Sequence, residues 1–204
     1  MKRVCMLASV LTLAISAPAF AQDVPRGDFS VGYQLLNISV SVDPTVAPGI
    51  DTSQTLPTGW YFDVAGNISP MFGVVFQVGG NYKTIEETVT VPPVTATASV
   101  GLSVHQFMGG LRVNARSNSA VTPFGEVLAG AVVGSVDATL TVTGLGTLFD
   151  VSDSATDFAM AFGGGVDIRM SERFGVRASA DYIRIFGDEG VNAFRLGVGA
   201  VFPF

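Results

Sequence analysis

Hydrophobic and polar positions alternate along most of this 204-residue chain. The clearest stretch is ATDFAMAFGGGVDIRM, residues 155–170. Its even positions are Phe158, Met160, Phe162, Gly164, Val166, Ile168 and Met170; its odd positions are Asp157, Ala159, Ala161, Gly163, Gly165, Asp167 and Arg169. A period of two held over this length puts successive side chains on opposite faces of a strand and is incompatible with a helix. The same rhythm predicts eight strands, over 28–38, 58–68, 72–83, 102–114, 122–135, 155–170, 173–186 and 191–204. Ser69-Pro70, 115–121 and Ser171-Glu172 are short connections, whereas 39–57, 84–101 and 136–154 are long; 187–190 is a short exception. The long ones are rich in Val, Thr, Leu and Pro, and several are able to extend the strands.

Two architectures share this alternation. A soluble barrel or sandwich turns its bulky apolar residues inward; a membrane barrel turns them to lipid. The opposite phase discriminates between them. On 155–170 it is Ala and Gly flanked by Asp and Arg, where a solvent face would carry larger polar groups. Small residues with a few charges fit the interior of an eight-stranded barrel, which side chains just fill. The lipid phase then collects Trp60, Phe62, Phe72, Phe76, Tyr82, Phe174, Tyr182, Phe194, Phe202 and Phe204, with rings grouped near both ends as two girdles. The lumen phase collects Asp63, Arg112, Glu126, Asp157, Asp167, Arg169, Arg177, Asp181 and Arg195, with Asn67, Gln77, Asn81 and Asn114. A one-residue slip would turn such charges into lipid, at about 2–4 kcal/mol for a basic group at the midplane, so register is strongly specified. Mixed signs predict a ladder of ion pairs that fills the lumen and blocks a wide pore. Arg184 shares the lipid phase at an outer end, where it either meets a lipid phosphate or snorkels without a specific partner.

Composition supports the membrane reading. Charged residues make up 14% of the chain, against about 25% in ordinary domains, and the mean hydropathy is +0.47. Beyond residue 21 no apolar run is long enough for a spanning helix, which leaves the closed barrel as the spanning solution. The first residues read as a leader peptide: basic MKR, an apolar stretch, and Ala19-Phe20-Ala21 as a small-x-small cleavage site. The domain is therefore expected to occupy 22–204. Loss of 1–21 removes the single Cys5, so disulfides are not expected, and removes Lys2 and Arg3, so the formal charge falls from −6 to about −8. Such acidity excludes nucleic acid as a partner. His105 is the single histidine. It shares a face with Ser103, but Glu126 has the lumen phase, so no hydrolase triad is expected. Neither a metal site nor another cofactor is expected.

The C-terminal GAVFPF carries Gly199, Phe202 and Phe204 in a Gly-x-x-Phe-x-Phe arrangement. This resembles the assembly signal read by the barrel-insertion machinery of diderm bacteria, with Gly197 where a polar residue is usual. TPFGEVLAGAVVG and FGVVFQVGGNY resemble strands of the outer membrane protein β-barrel domain family, akin to the OmpA transmembrane domain and the opacity proteins. The resemblance implies an up-and-down, eight-stranded transmembrane barrel in the outer membrane, in contact with its lipids, handled by the insertion machinery and expected to be a monomer. Two functions follow as expectations. The first is a structural or surface-interaction role, with 39–57, 84–101 and 136–154 facing a surface ligand. The second is a narrow channel for small or hydrophobic solutes.

Overall fold

The computed structural model describes residues 25–40, 53–91, 94–116, 120–187 and 190–204. The leader reading, with Ala19 and Ala21, lies outside these residues, as does most of the 39–57 connection. The strands are β1 (Gly27–Val40), β2 (Ser53–Leu56), β3 (Thr58–Asn67), β4 (Phe72–Val91), β5 (Val94–Asn114), β6 (Val121–Val142), β7 (Gly146–Arg169), β8 (Gly175–Phe186) and β9 (Val191–Pro203). Each pairs antiparallel with its neighbour, and β1 closes the ring on β9 from Asp28↔Pro203 to Val40↔Val191. The ends are tied as well: Gly27 and Phe204 exchange backbone hydrogen bonds of 3.1 and 2.9 Å. Both β2 and β3 lie against β1, on its outer and inner halves. They form one stave interrupted at Pro57, which has no N–H to give a ladder. The ring therefore has the eight staves that alternation predicted.

Strands are longer than expected on one side. Residues 84–101 are not a loop: Thr84–Val91 pairs with Val94–Gly101. Likewise 136–154 is a hairpin of β6 and β7 with a turn near Gly144 and Gly146, both at positive φ. The register shifts between Leu140 and Thr141, with Leu148 of β7 as the extra residue of a bulge. The reason for the misreading is a change of polarity without a change of period. Below Tyr82 the outward phase of β4 is Phe72, Val74, Phe76 and Val78; above it is Thr84, Glu86, Thr88 and Thr90. β5 switches from His105 to Ser103, β6 from Val133 to Ser135, and β7 from Phe158 to Thr156. The strands leave lipid at this level and continue as a sheet in water.

Orientation is settled by burial. Phe158, Phe162, Phe76 and Leu111 are exposed on the outer wall, whereas Ala159, Ala161, Val75 and Arg112 are buried inside. Phe29, Phe202 and Phe174 pack as an inner girdle, with centroids 5.0 and 5.6 Å apart. Trp60, Tyr82 and His105 form part of the outer one: Trp60 Nε1 donates to Tyr82 Oη (3.3 Å), which lies 3.0 Å from His105 Nε2.

Candidate functional site

The inward phase of the strands builds a lumen in two parts. In the inner half, Arg177 on β8 gives a bidentate pair to Asp167 on β7, Nε–Oδ1 2.7 Å and Nη2–Oδ2 2.8 Å. Its remaining donors reach Asp63 on β3 (Nη1–Oδ1 2.8 Å) and Asp28 on β1 (Nη2–Oδ1 2.9 Å). The planar guanidinium has five N–H donors, which is why one residue can join three staves. Ser30 donates to Asp63 Oδ2 at 2.7 Å. Arg112 on β5 donates through Nε to Glu126 on β6 (2.9 Å) and lies 3.5 Å from Asp28. Phe124 stands beside both cations, its ring centroid 4.6 Å from the Arg112 guanidinium carbon and 4.9 Å from that of Arg177. Higher up, Arg195 on β9 pairs with Asp181 on β8 (2.8 Å) and reaches across to Gln106 on β5 (2.9 Å).

Of the residues expected in the lumen, the structure thus brings together Asp63, Arg112, Glu126, Asp167 and Arg177, and separately Asp181 and Arg195. Arg169 is not among them. Its strand reaches the periplasmic rim, where Arg169 is exposed and has no ion pair among the described residues. There it lines a small cavity with Arg116, Asp28 and Phe174. Asp28 was missed, although the alternation Asp28, Ser30, Gln34 against Phe29, Val31, Tyr33 marks it as inward. Asn114 donates to Asn67 at 3.4 Å, and Gln34 to Asn81 at 2.7 Å.

The outer half of the lumen departs from the expected polar ladder. Leu36, Leu56, Val104, Leu128, Ile183 and Ile185 pack there as a buried apolar plug. Side chains above the ion pairs are large enough to meet across the ring, so the barrel is stoppered by two different materials. Arg184 also differs from expectation: it donates to Asn192 Oδ1 (2.6 Å) and to the Gly190 carbonyl (3.3 Å), with Tyr182 Oη on the same Asn192 oxygen (2.7 Å). Its partners are protein groups. Ser103 and His105 lie on the outer wall and Glu126 inside it, so the three never meet.

The C-terminal residues fall at the inner rim. Phe202 packs on Phe29 and Phe174, Gly199 sits opposite Gly32, and Phe204 is exposed. At Gly199 a Cβ would come within 2.5 Å of the Val31 carbonyl oxygen, so this position has no room for a side chain.

A closed antiparallel ring with a greasy outer belt, two aromatic girdles and ions confined within defines a transmembrane β-barrel of the outer-membrane type. The chain belongs to the outer membrane protein beta-barrel domain family, whose model matches residues 7–202. Its place is the outer membrane. Among solved structures it is similar to Ail, the attachment invasion locus protein of Yersinia pestis, in complex with the heparin analogue sucrose octasulfate. Identity there is 19% over 86% of this chain and 97% of that one, with a TM-score of 0.55. It is also similar to Neisserial surface protein A, at 13% identity over 87% of this chain and 97% of that one, with a TM-score of 0.50. At such identities the likeness is one of fold. No curated protein matched.

Proposed function

We propose that this barrel is a structural and surface-interaction protein with a closed lumen, presenting its outer hairpins to a ligand. The observation that carries this reading is the double stopper: buried guanidiniums tied to Asp28, Asp63, Glu126 and Asp167 below, and an apolar plug above. A solute would have to separate paired buried charges, which costs several kcal/mol. Long hairpins on one side and two-residue or similarly short turns on the other fit a chain whose working surface lies outside the cell. The crystal structure of Ail holds the heparin analogue sucrose octasulfate; the outer hairpins here carry Glu86, Glu87, Asp137, Asp150 and Asp153 and no basic residue in 84–101 or 136–154, so a polyanion is not the ligand class they suit. The protein acts as a monomer, and the insertion machinery reads Gly199, Phe202 and Phe204 as its assembly signal.

Planar-bilayer recording tests the closed lumen. The barrel gives no large, steady single-channel currents, and conductance rises when Arg112→Ala is combined with Leu128→Ala, which loosens both stoppers. Steady porin-like currents from the unaltered protein would favour the second reading, a narrow channel for small or hydrophobic solutes. The apolar lining of the outer lumen is the feature that favours it.

A further inference from the structure

Above the level of Tyr82, the outer parts of β4, β5, β6 and β7 form a four-stranded sheet standing free of the ring. Register assigns its two faces, because paired residues share a face. The outward face is a field of hydroxyls, with Thr88 bonded to Thr97 and Thr90 to Thr95, each at 3.2 Å. The face continuing the lumen wall carries Ile85, Val89, Val100, Leu140, Phe149 and Val151, with Glu87, Asp153 and Asp157 as the acids among them. Phe149 is 51% exposed, Val151 48% and Val89 63%. Water-exposed apolar area of this kind, gathered on one face, marks an interaction surface. It also runs directly onto the apolar plug, through Leu102.

The β7 side of this sheet is an open edge. β8 accompanies β7 only as far as Phe158↔Phe186, so among the described residues nothing pairs with 146–157 on that side. The edge lacks the Lys and Pro that usually blunt such strands; its charges are Asp150, Asp153 and Asp157. Two acidic edges repel each other, which disfavours a second copy.

We propose that the β7 edge docks an extended, cationic, amphipathic polypeptide segment as an added strand. The inference rests on the surface-interaction reading and names its partner class. In an added strand, side chains alternate between the faces. Apolar ones would continue the face of Phe149 and Val151, where Asp153 takes a basic one at its end, and further basic ones would continue the face of Asp150. Charge complementarity selects the partner: 84–101 and 136–154 carry five acids and no base.

The test uses the full protein in nanodiscs of zwitterionic lipid, which has no net attraction for cations. The probe is a Lys-Val repeat peptide of about ten residues, with a Glu-Val repeat as comparison. The Lys-Val peptide binds, slows amide exchange over 149–156, and weakens with salt; the Glu-Val peptide does not bind. Asp150→Asn with Asp153→Asn, and separately Phe149→Ser with Val151→Ser, each weaken binding by about tenfold or more. Thr88→Ala, on the outward face of the far strand, leaves it unchanged. The proposal is overturned if the Glu-Val peptide binds equally, if either double variant binds as well as the parent, or if the protein alone sediments as a dimer with 149–156 already protected. It is likewise overturned if the face takes up a neutral aliphatic dye that no peptide displaces. Each variant must keep its heat-modifiable mobility, which the apolar plug and ring secure without these side chains. Failure of peptide binding in a non-conducting barrel removes the docking edge and leaves the closed-lumen reading; conduction removes the latter and leaves the edge.

Discussion

Arg177 joins Asp28, Asp63 and Asp167 on three other staves and is 1% exposed. Its removal takes the close ion pair from Asp167 and leaves Asp28 and Asp63 only the longer contacts to Arg112, 3.5 and 3.6 Å. Arg177→Ala is expected to destabilise the barrel by about 3–5 kcal/mol, the cost of stranding buried charge. Denaturant unfolding in detergent measures it; a loss under about 1 kcal/mol would mean the network contributes no more than a surface pair. Gly165 is a second residue with a defined duty. It stands opposite Phe124, and a Cβ there would lie 2.8 Å from the ring's Cζ and 2.1 Å from the Ala178 carbonyl oxygen. The ring that flanks both guanidiniums occupies the space this glycine vacates. Gly165→Val is expected to cost about 1–3 kcal/mol or more by overpacking, read by the same unfolding midpoint. Alternation put Gly163 and Gly165 in the inward phase, but not which ring Gly165 admits, because cross-strand register sets that.

At the scale of elements, alternation located every stave and placed its periplasmic end within a few residues, because lipid and lumen demand opposite side chains at every second position. It misplaced the outer ends. From Thr84, Ser103, Ser135 and Thr156 onward, the outward phase turns polar while the inward phase stays mostly apolar, with Glu87 and Asp153 as exceptions. A reading keyed to greasy outward residues stops there, although strand geometry continues. The apolar plug escaped notice for a related reason: Leu36, Val104, Leu128 and Ile183 share the phase of the charged residues, and charge drew attention to the lumen's inner half. The outer sheet is built from its own hairpins, so the ring should not depend on it. Replacing 85–100 and 137–152 each by Asn-Gly, a two-residue hairpin turn, is expected to leave a folded barrel with heat-modifiable mobility in cold detergent. Failure of the trimmed chain to fold would show that the outer sheet is part of the barrel's structural core.

For the molecule as a whole, the energetic logic is that of a protein turned inside out twice. Within the membrane, apolar side chains face lipid and ionic ones are enclosed; above it, the hydroxyl face looks outward and the apolar face looks toward the axis. The ring satisfies its backbone groups by closing β1 on β9. The barrel class follows from this pattern and was legible in periodicity; the family was legible as a resemblance carried by GAVFPF and two strand stretches, and the match over 7–202 shows it. Which charges meet was less legible, since Asp28 and Arg177 are 149 residues apart and meet only through closure. Arg169 shows the limit from the other side: it has the inward phase, yet its level on the strand places it at the open rim.

Spin labels placed singly at each position from 157 to 163, in lipid bilayers, test the central claim most directly. Labels at 158, 160 and 162 should collide readily with dissolved oxygen, which concentrates in lipid, and little with a water-soluble nickel complex; those at 159, 161 and 163 should be shielded from both. Uniform accessibility along the segment, or nickel access at Phe162, would contradict an outward greasy wall around a closed interior.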